Sequence, residues 1–207
     1  DTGDFLVGLN SIGGGDLIFQ NNSIGVNRLG VIVPSSSNGV GLFGNDGGLF
    51  GGTGTDEGNT IAGFTGVGLF SLLSNTRIIG NTIHSNGNGV ILEDTAIVPV
   101  FVSRPFLQNS LYDNTSGLDV SYDSDENIEP DVNVGQDTND YLDADTGPNN
   151  YLNHPVLISA TQNGLNVDIT YMLDVSVSVN PYHIEFFSNP SGLDASGFGQ
   201  GELYEDS

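Results

Sequence analysis

The sequence predicts an all-β chain in three parts. These are a right-handed parallel β-helix over residues 1–122, an acidic linker over 123–150, and a small antiparallel β-sandwich-like domain over 151–207. Three observations predict it. A short Asn-polar-aliphatic element recurs through the first part. A Gly-led alternating strand follows that element at a nearly fixed distance. After Pro155 the hydrophobic pattern changes to period two.

The repeat reads NSI at 10–12 and 22–24, NTI at 59–61 and 81–83, and NSL at 109–111. The strands that follow are GVGLF at 39–43 and 66–70, GVILE at 89–93 and GLDVS at 117–121. Asn59 lies 7 residues before Gly66, Asn81 lies 8 before Gly89, and Asn109 lies 8 before Gly117. The Asn-to-Asn intervals stretch from 22 to 28 residues. A fixed offset inside a variable interval describes a coil with two constant strand-turn corners and one loop of variable length. Alternate side chains of each strand then face inward. Ile61, Val67 and Leu69 are expected beneath Ile83, Val90 and Leu92 of the next coil, and Asn59, Asn81 and Asn109 are expected to form a structural amide ladder at an inner turn. A leucine-rich frame and a 3.6-residue periodicity are both absent.

Composition fits this fold. Gly (30 residues) and Asn (23 residues) supply the left-handed turns that many corners require. Hydrophobic residues make up 37%, enough for a core. Charge is scarce and lopsided, with 26 acids against Arg28, Arg77 and Arg104 and no Lys. A chain of net charge −23 is a poor partner for nucleic acid or an anionic membrane and a plausible one for divalent cations. Without Cys there is no disulfide or thiol chemistry, and no apolar run is long enough to insert in a membrane. Opening on Asp1, the chain reads as a mature protein or an excised piece.

The linker 123–150 holds nine acids and no base. It reads either as a solvated connector or as a Ca²⁺ site, with Asp137, Asn139, Asp140, Asp143 and Asp145 as oxygen ligands. No other cofactor is indicated. Beyond Pro155 the segments PVLISAT, GLNVDITYMLDVSV, YHIEFFS and GELYE read as about four half-buried antiparallel strands. A closed sandwich wants ~7. Either the chain is a fragment, or another chain supplies the rest through the open sheet edge.

The stretch 22–63 resembles the repeats of large secreted bacterial parallel β-helix proteins of the pectin-lyase-like type, in which a GN-x-IG segment, a GV strand, an IGG-T turn and a GN-x-I strand follow in order. Phe50 stands in the Ile place of the turn LFGGTGT (49–55). NSLYDNTSGLDV (109–120) is similar to the last coil of that family, DADTGPNN followed by NHPVL (143–157) to its linker, and PYHIEFFSNP with SGFGQGELY (181–204) to its appended β-domain. The resemblance implies an extracellular or cell-surface protein with no single family-wide activity.

Catalytic chemistry is thinly provided. No Lys supports a lyase, and Arg28, Arg77 and Arg104 fall in different coils. An inverting hydrolase needs carboxylates about 6.5–9.5 Å apart. Glu93, Asp94 and Asp119 are the nearest candidates, and the alternation about Leu118 and Val120 turns Asp119 toward solvent. His84, His154 and His183 share no metal-ligand spacing, and neither a Gly-x-Ser-x-Gly elbow nor a P-loop Lys occurs. Asn21 and Asn114 head glycosylation sequons at predicted turns. The sequence therefore points to a non-enzymatic extracellular structural protein, a self-assembling filament or cell-surface stalk. It would self-associate through coil ends and the C-terminal sheet edge. The alternative is a carbohydrate-binding or polysaccharide-degrading protein with polysaccharide as partner.

Overall fold

The computed structural model describes residues 7–10, 17–43, 47–72, 75–95, 105–123, 139–142, 153–176, 182–192 and 200–207, with the backbone alone at 7–10, 94–95 and 117–123. All regular structure among them is β-strand. The strands fall into rungs of three. The first rung is β1 (Val7–Asn10), β2 (Ile18–Phe19) and β3 (Ser23–Ile24). The second is β4 (Val40–Phe43), β5 (Leu49–Gly51) and β6 (Thr60–Ala62). The third is β7 (Val67–Leu72), β8 (Arg77–Ile79) and β9 (Thr82–His84). The fourth is β10 (Asn88–Thr95), β11 (Phe106–Leu107) and β12 (Ser110–Tyr112), after which β13 (Ser116–Asp123) begins again. Every third strand returns to the same sheet. The orders are β1-β4-β7-β10-β13, β2-β5-β8-β11 and β3-β6-β9-β12, all parallel.

Parallel pairing in register stacks like on like. Ile24, Ile61, Ile83 and Leu111 make one inward column. Phe19, Phe50, Ile78 and Phe106 make a second, in which the Phe19 and Phe50 rings stack at 5.2 Å. Val40, Leu69 and Val90 make a third. Phe50, Ile61, Leu69, Ile78, Ile83, Val90 and Leu92 are fully buried. Each such side chain contributes about 1.5–3 kcal/mol of transfer free energy, so the columns dominate cohesion and the β-branched residues fit their pleated walls.

The register of the first sheet differs from the sequence expectation by two residues. Val67 pairs with Asn88 and Leu69 with Val90. Two residues, Thr65 and Gly66, turn the corner after Phe64, whereas Gly87 alone turns it after Asn86. Aligning the strands on their glycines therefore misplaces them. One consequence is that Ser71 stands between Leu42 and Leu92. It is fully buried, and its hydroxyl finds no partner among the described residues.

The C-terminal part forms two separate antiparallel pairs. β14 (Val156–Asn163) and β15 (Asn166–Met172) make a hairpin, and β16 (Phe186–Ser188) pairs with β17 (Leu203–Asp206). The hairpin is not half-buried as its alternation suggests. Both faces are exposed, with Leu157, Ile158, Leu165, Val167 and Met172 in solvent. Among the ring contacts of the described residues, it meets β16 through Tyr171 and Phe186, 6.0 Å apart. Alternation records which face could be buried, and here no second layer among the described residues covers either.

Candidate functional site: two amide ladders and the covered end of the stack

Five of the buried polar side chains of the stack, Asn59, Asn81, Asn86, Asn109 and Asn114, are carboxamides, and they occupy corners. Five corner Asn residues follow a residue in the left-handed region, Asn59 being the exception: Asn21 (φ 57°), Gly80 (φ 65°) and Gln108 (φ 53°) precede Asn22, Asn81 and Asn109. Ser85 (φ 56°) and Asp113 (φ 54°) likewise precede Asn86 and Asn114. That local reversal turns the chain and carries the next side chain inward.

Asn22, Asn59, Asn81 and Asn109 form one column, the last three buried. The Asn22 backbone N–H and Nδ2 both donate to Asn59 Oδ1 at 3.0 Å. Asn59 repeats this toward Asn81 Oδ1 at 3.0 and 2.9 Å, and Asn81 toward Asn109 Oδ1 at 2.9 Å from both donors. The second amide proton goes back to the preceding rung, to Phe19 O from Asn59, Phe50 O from Asn81 and Ile78 O from Asn109. Gly51 (φ 93°) is required beside this column, because a Cβ there would lie 2.0 Å from Ile79 O and 2.5 Å from Asn81 Oδ1.

A second column lies five residues further along each rung. Phe64 N–H donates to Asn86 Oδ1 at 3.1 Å, and Asn86 donates from N–H and Nδ2 to Asn114 Oδ1 at 3.0 Å. Asn114 donates in turn to Gln200 Oε1, at 3.2 Å from N–H and 2.8 Å from Nδ2, and Gln200 Nε2 returns a 2.8 Å bond to Asn114 O. Asn86, Asn114 and Gln200 are each about 4% exposed. The Asn-x-aliphatic-x-x-Asn spacing of 81–86 and 109–114 carried the signal for this column, which Phe64 interrupts. Gln200 carried none. Of the two sequon residues, Asn114 is buried and Asn21 is exposed.

Further acceptors line the same end of the stack. Leu111 N–H donates to Gly201 O at 2.7 Å, and Ser110 Oγ to Glu202 O. Gln108 N–H donates to the Glu185 carboxylate at 2.8 and 3.0 Å, and His183 Nε2 lies 3.2 Å from the same group. Gly201 rests on the Phe187 ring, where a Cβ would come within 2.5 Å.

Outside the third sheet, His84 and Tyr112 are register partners with rings stacked at 4.7 Å and 6°. Burial lowers the His84 pKa against the pull of Asp113, and burial, then Asp113 and Glu202, raises that of Tyr112. A groove of about 390 Å³ beside β5 and β8 is lined by Ile18, Gly47, Gly48, Leu49, Asn75 and Arg77, with neither an acid nor a histidine among these described residues.

Of the expected Ca²⁺ ligands, Asp137, Asp143 and Asp145 lie outside the described residues. Asn139 exchanges two 2.8 Å bonds with the His154 backbone, and Asp140 is held through its backbone by Asn153. Among the described residues no three His, Cys, Asp or Glu side chains cluster as a metal site would need. Glu93 pairs with Leu72 and Ser121, and the backbone of Asp119 with Ile91. No described helix is long and apolar enough to cross a membrane. Comparison with protein-family models, with curated proteins and with solved structures gives no match.

Proposed function

We propose that this chain is a structural module, a right-handed parallel β-helix of the pectin-lyase-like kind, serving outside the cell as a surface stalk or filament subunit. One observation carries the reading. The carboxamide side chains that the stack buries, Asn59, Asn81, Asn86, Asn109 and Asn114, are committed to bonds along the stack, so their chemistry is cohesion. The sequence resemblance, the absence of Cys and the single Met support an extracellular setting. The exposed hairpin β14–β15 supports association, since two strands alone are marginal in water and this pair leaves apolar side chains on both faces. Under this reading residues 1–122 are the stalk, 123–150 the connector and 151–207 the assembling part, with Ca²⁺ at the connector.

Negative-stain microscopy and sedimentation of the purified chain, with Ca²⁺ and with chelator, test it. Fibres or defined oligomers are expected. Monodisperse monomers at every Ca²⁺ concentration would overturn the assembly reading, and identical thermal melts would overturn the Ca²⁺ reading.

Carbohydrate binding is the second reading, favoured by the flat His84–Tyr112 pair with Asp113 at its side. Reducing-sugar release and retention on a polysaccharide panel would show it, and His84→Ala should abolish retention.

A further inference from the structure

The last complete rung ends at β12, and in a stack of parallel strands such an edge would present unpaired N–H groups. Residues 200–202 lie along it. Gln200 takes the place that the carboxamide of a further rung would hold, and the two residues after it run antiparallel to β12, Gly201 meeting Leu111 and Glu202 meeting Ser110. Asn114 Oδ1 accepts from both the N–H and Nδ2 of Asn86. Gln200 Oε1 accepts from the same two donors of Asn114. Gly201 O and Glu202 O then take Leu111 N–H and Ser110 Oγ. The segment doing this stands 86 residues from Asn114 in the chain, so it belongs to no rung.

The first rung of a second copy cannot make these contacts. The residue five after Asn22 is Asn27, and its Oδ1 already accepts Leu29 and Val31 N–H at 2.9 and 3.1 Å, closing its own loop. In the second rung the equivalent residue is Phe64. Neither rung has a free carboxamide at the position equivalent to Asn114. A partner that fits must bring a strand with a long carboxamide followed by a Gly, the Gly being needed for close passage over an aromatic ring like Phe187. Residues 200–202 of another copy have that chemistry, and exchanging an identical element remakes every contact it breaks.

We propose that the edge of β12, with the Asn114 carboxamide at its end, is a strand-docking site. Residues 200–202 fill it within one chain, and the same segment of a second copy fills it when chains assemble. This deepens the self-association reading above and rests on it. Assembly by this route needs the internal segment to leave first, so the internal contact restrains assembly.

The chain has no Cys, which makes a disulfide trap clean. Full-length Ser110→Cys and Glu202→Cys chains are mixed, unfolded and refolded together, then oxidised. The Ser110→Cys/Glu202→Cys double variant at high dilution is the control and should close an internal disulfide. The mixture should give the 110–202 mixed dimer, rising with concentration and several-fold above a Ser37→Cys with Glu202→Cys pair. Exchange of the Leu111 amide should stay slow in that dimer.

A control that does not close would overturn the internal docking itself. A control that closes, with no mixed dimer above the reference pair, would overturn the exchange. Chains that still assemble by sedimentation in that second case would leave the structural reading standing and place association elsewhere.

Discussion

Replacing Asn81 by Ala should cost far more than replacing Asn22 by Ala, although both belong to the same column. Asn81 bridges. Its Oδ1 accepts two bonds from Asn59, and its Nδ2 donates to Asn109, Phe50 and Ile79. Ala at 81 removes the acceptor for Asn59 N–H inside a corner that is 1% exposed. An orphaned buried amide costs about 1–3 kcal/mol. The vacated volume adds about 1 kcal/mol, at the low end for a small truncation. The expected loss is therefore about 2–4 kcal/mol. Asn22 is half-exposed, and its side-chain amide only donates, to Gln20 O and to an Asn59 Oδ1 that keeps Asn22 N–H as donor. Nothing buried loses its sole partner, and the loss should be about 0.5–1 kcal/mol. Urea titration followed by the far-ultraviolet β signal measures both. Losses equal within about 0.5 kcal/mol would refute the claim that satisfaction of the corner amide, and not the presence of Asn, stabilises the column.

Ser71→Ala should stabilise the chain by about 1 kcal/mol, because it removes a buried hydroxyl without a described partner between Leu42 and Leu92, and an unchanged urea midpoint would argue for an ordered water there. Gly51→Ala should destabilise by at least ~2 kcal/mol, since the residue sits at φ 93° with Ile79 O in the place of a Cβ, and a melt unchanged within error would contradict that geometry. Acid should weaken the stack in a His84-dependent way. The folded pKa of His84 lies below its ordinary value, so the folded form binds fewer protons, and stability present above the ordinary value is lost as pH falls through the folded one. Urea midpoints at several pH values for wild type and His84→Gln should converge toward acid, and parallel curves would count against it.

Local repetition made the stack legible. Strand-turn units with a constant Asn-to-Gly offset can stack only if each returns to the same wall, and the strands do return in threes. The same spacing picked out Asn59, Asn81 and Asn109. Register was less legible, because one extra corner residue at Thr65–Gly66 shifts a whole strand and leaves no mark in the alternation. The column through Asn86 and Asn114 was legible in principle and obscured by Phe64. Gln200 was beyond reach, since its partner is fixed by tertiary contact across 86 residues. The hairpin shows the reverse limit. Val167, Ile169 and Tyr171 alternate as a buried face would, and pattern alone does not say whether a second layer is present to bury it.

The direction of the carboxamide hydrogen bonds has an electrical consequence. Each Asn gives its backbone N–H and one amide proton toward the C-terminal end, returns its other amide proton to the preceding rung and offers its oxygen toward the N-terminal end, so the column is directional, and neighbours in such a chain polarise one another. The stack thus has a polarity along its axis, with its C-terminal end presenting the Asn114 corner as donor. The groups gathered there are acceptors: the Glu185 carboxylate, the Gln200 amide oxygen and the carbonyls of Gly201 and Glu202. Lengthening the stack by whole rungs would preserve that polarity, so the same terminal segment would fit a stack of any height.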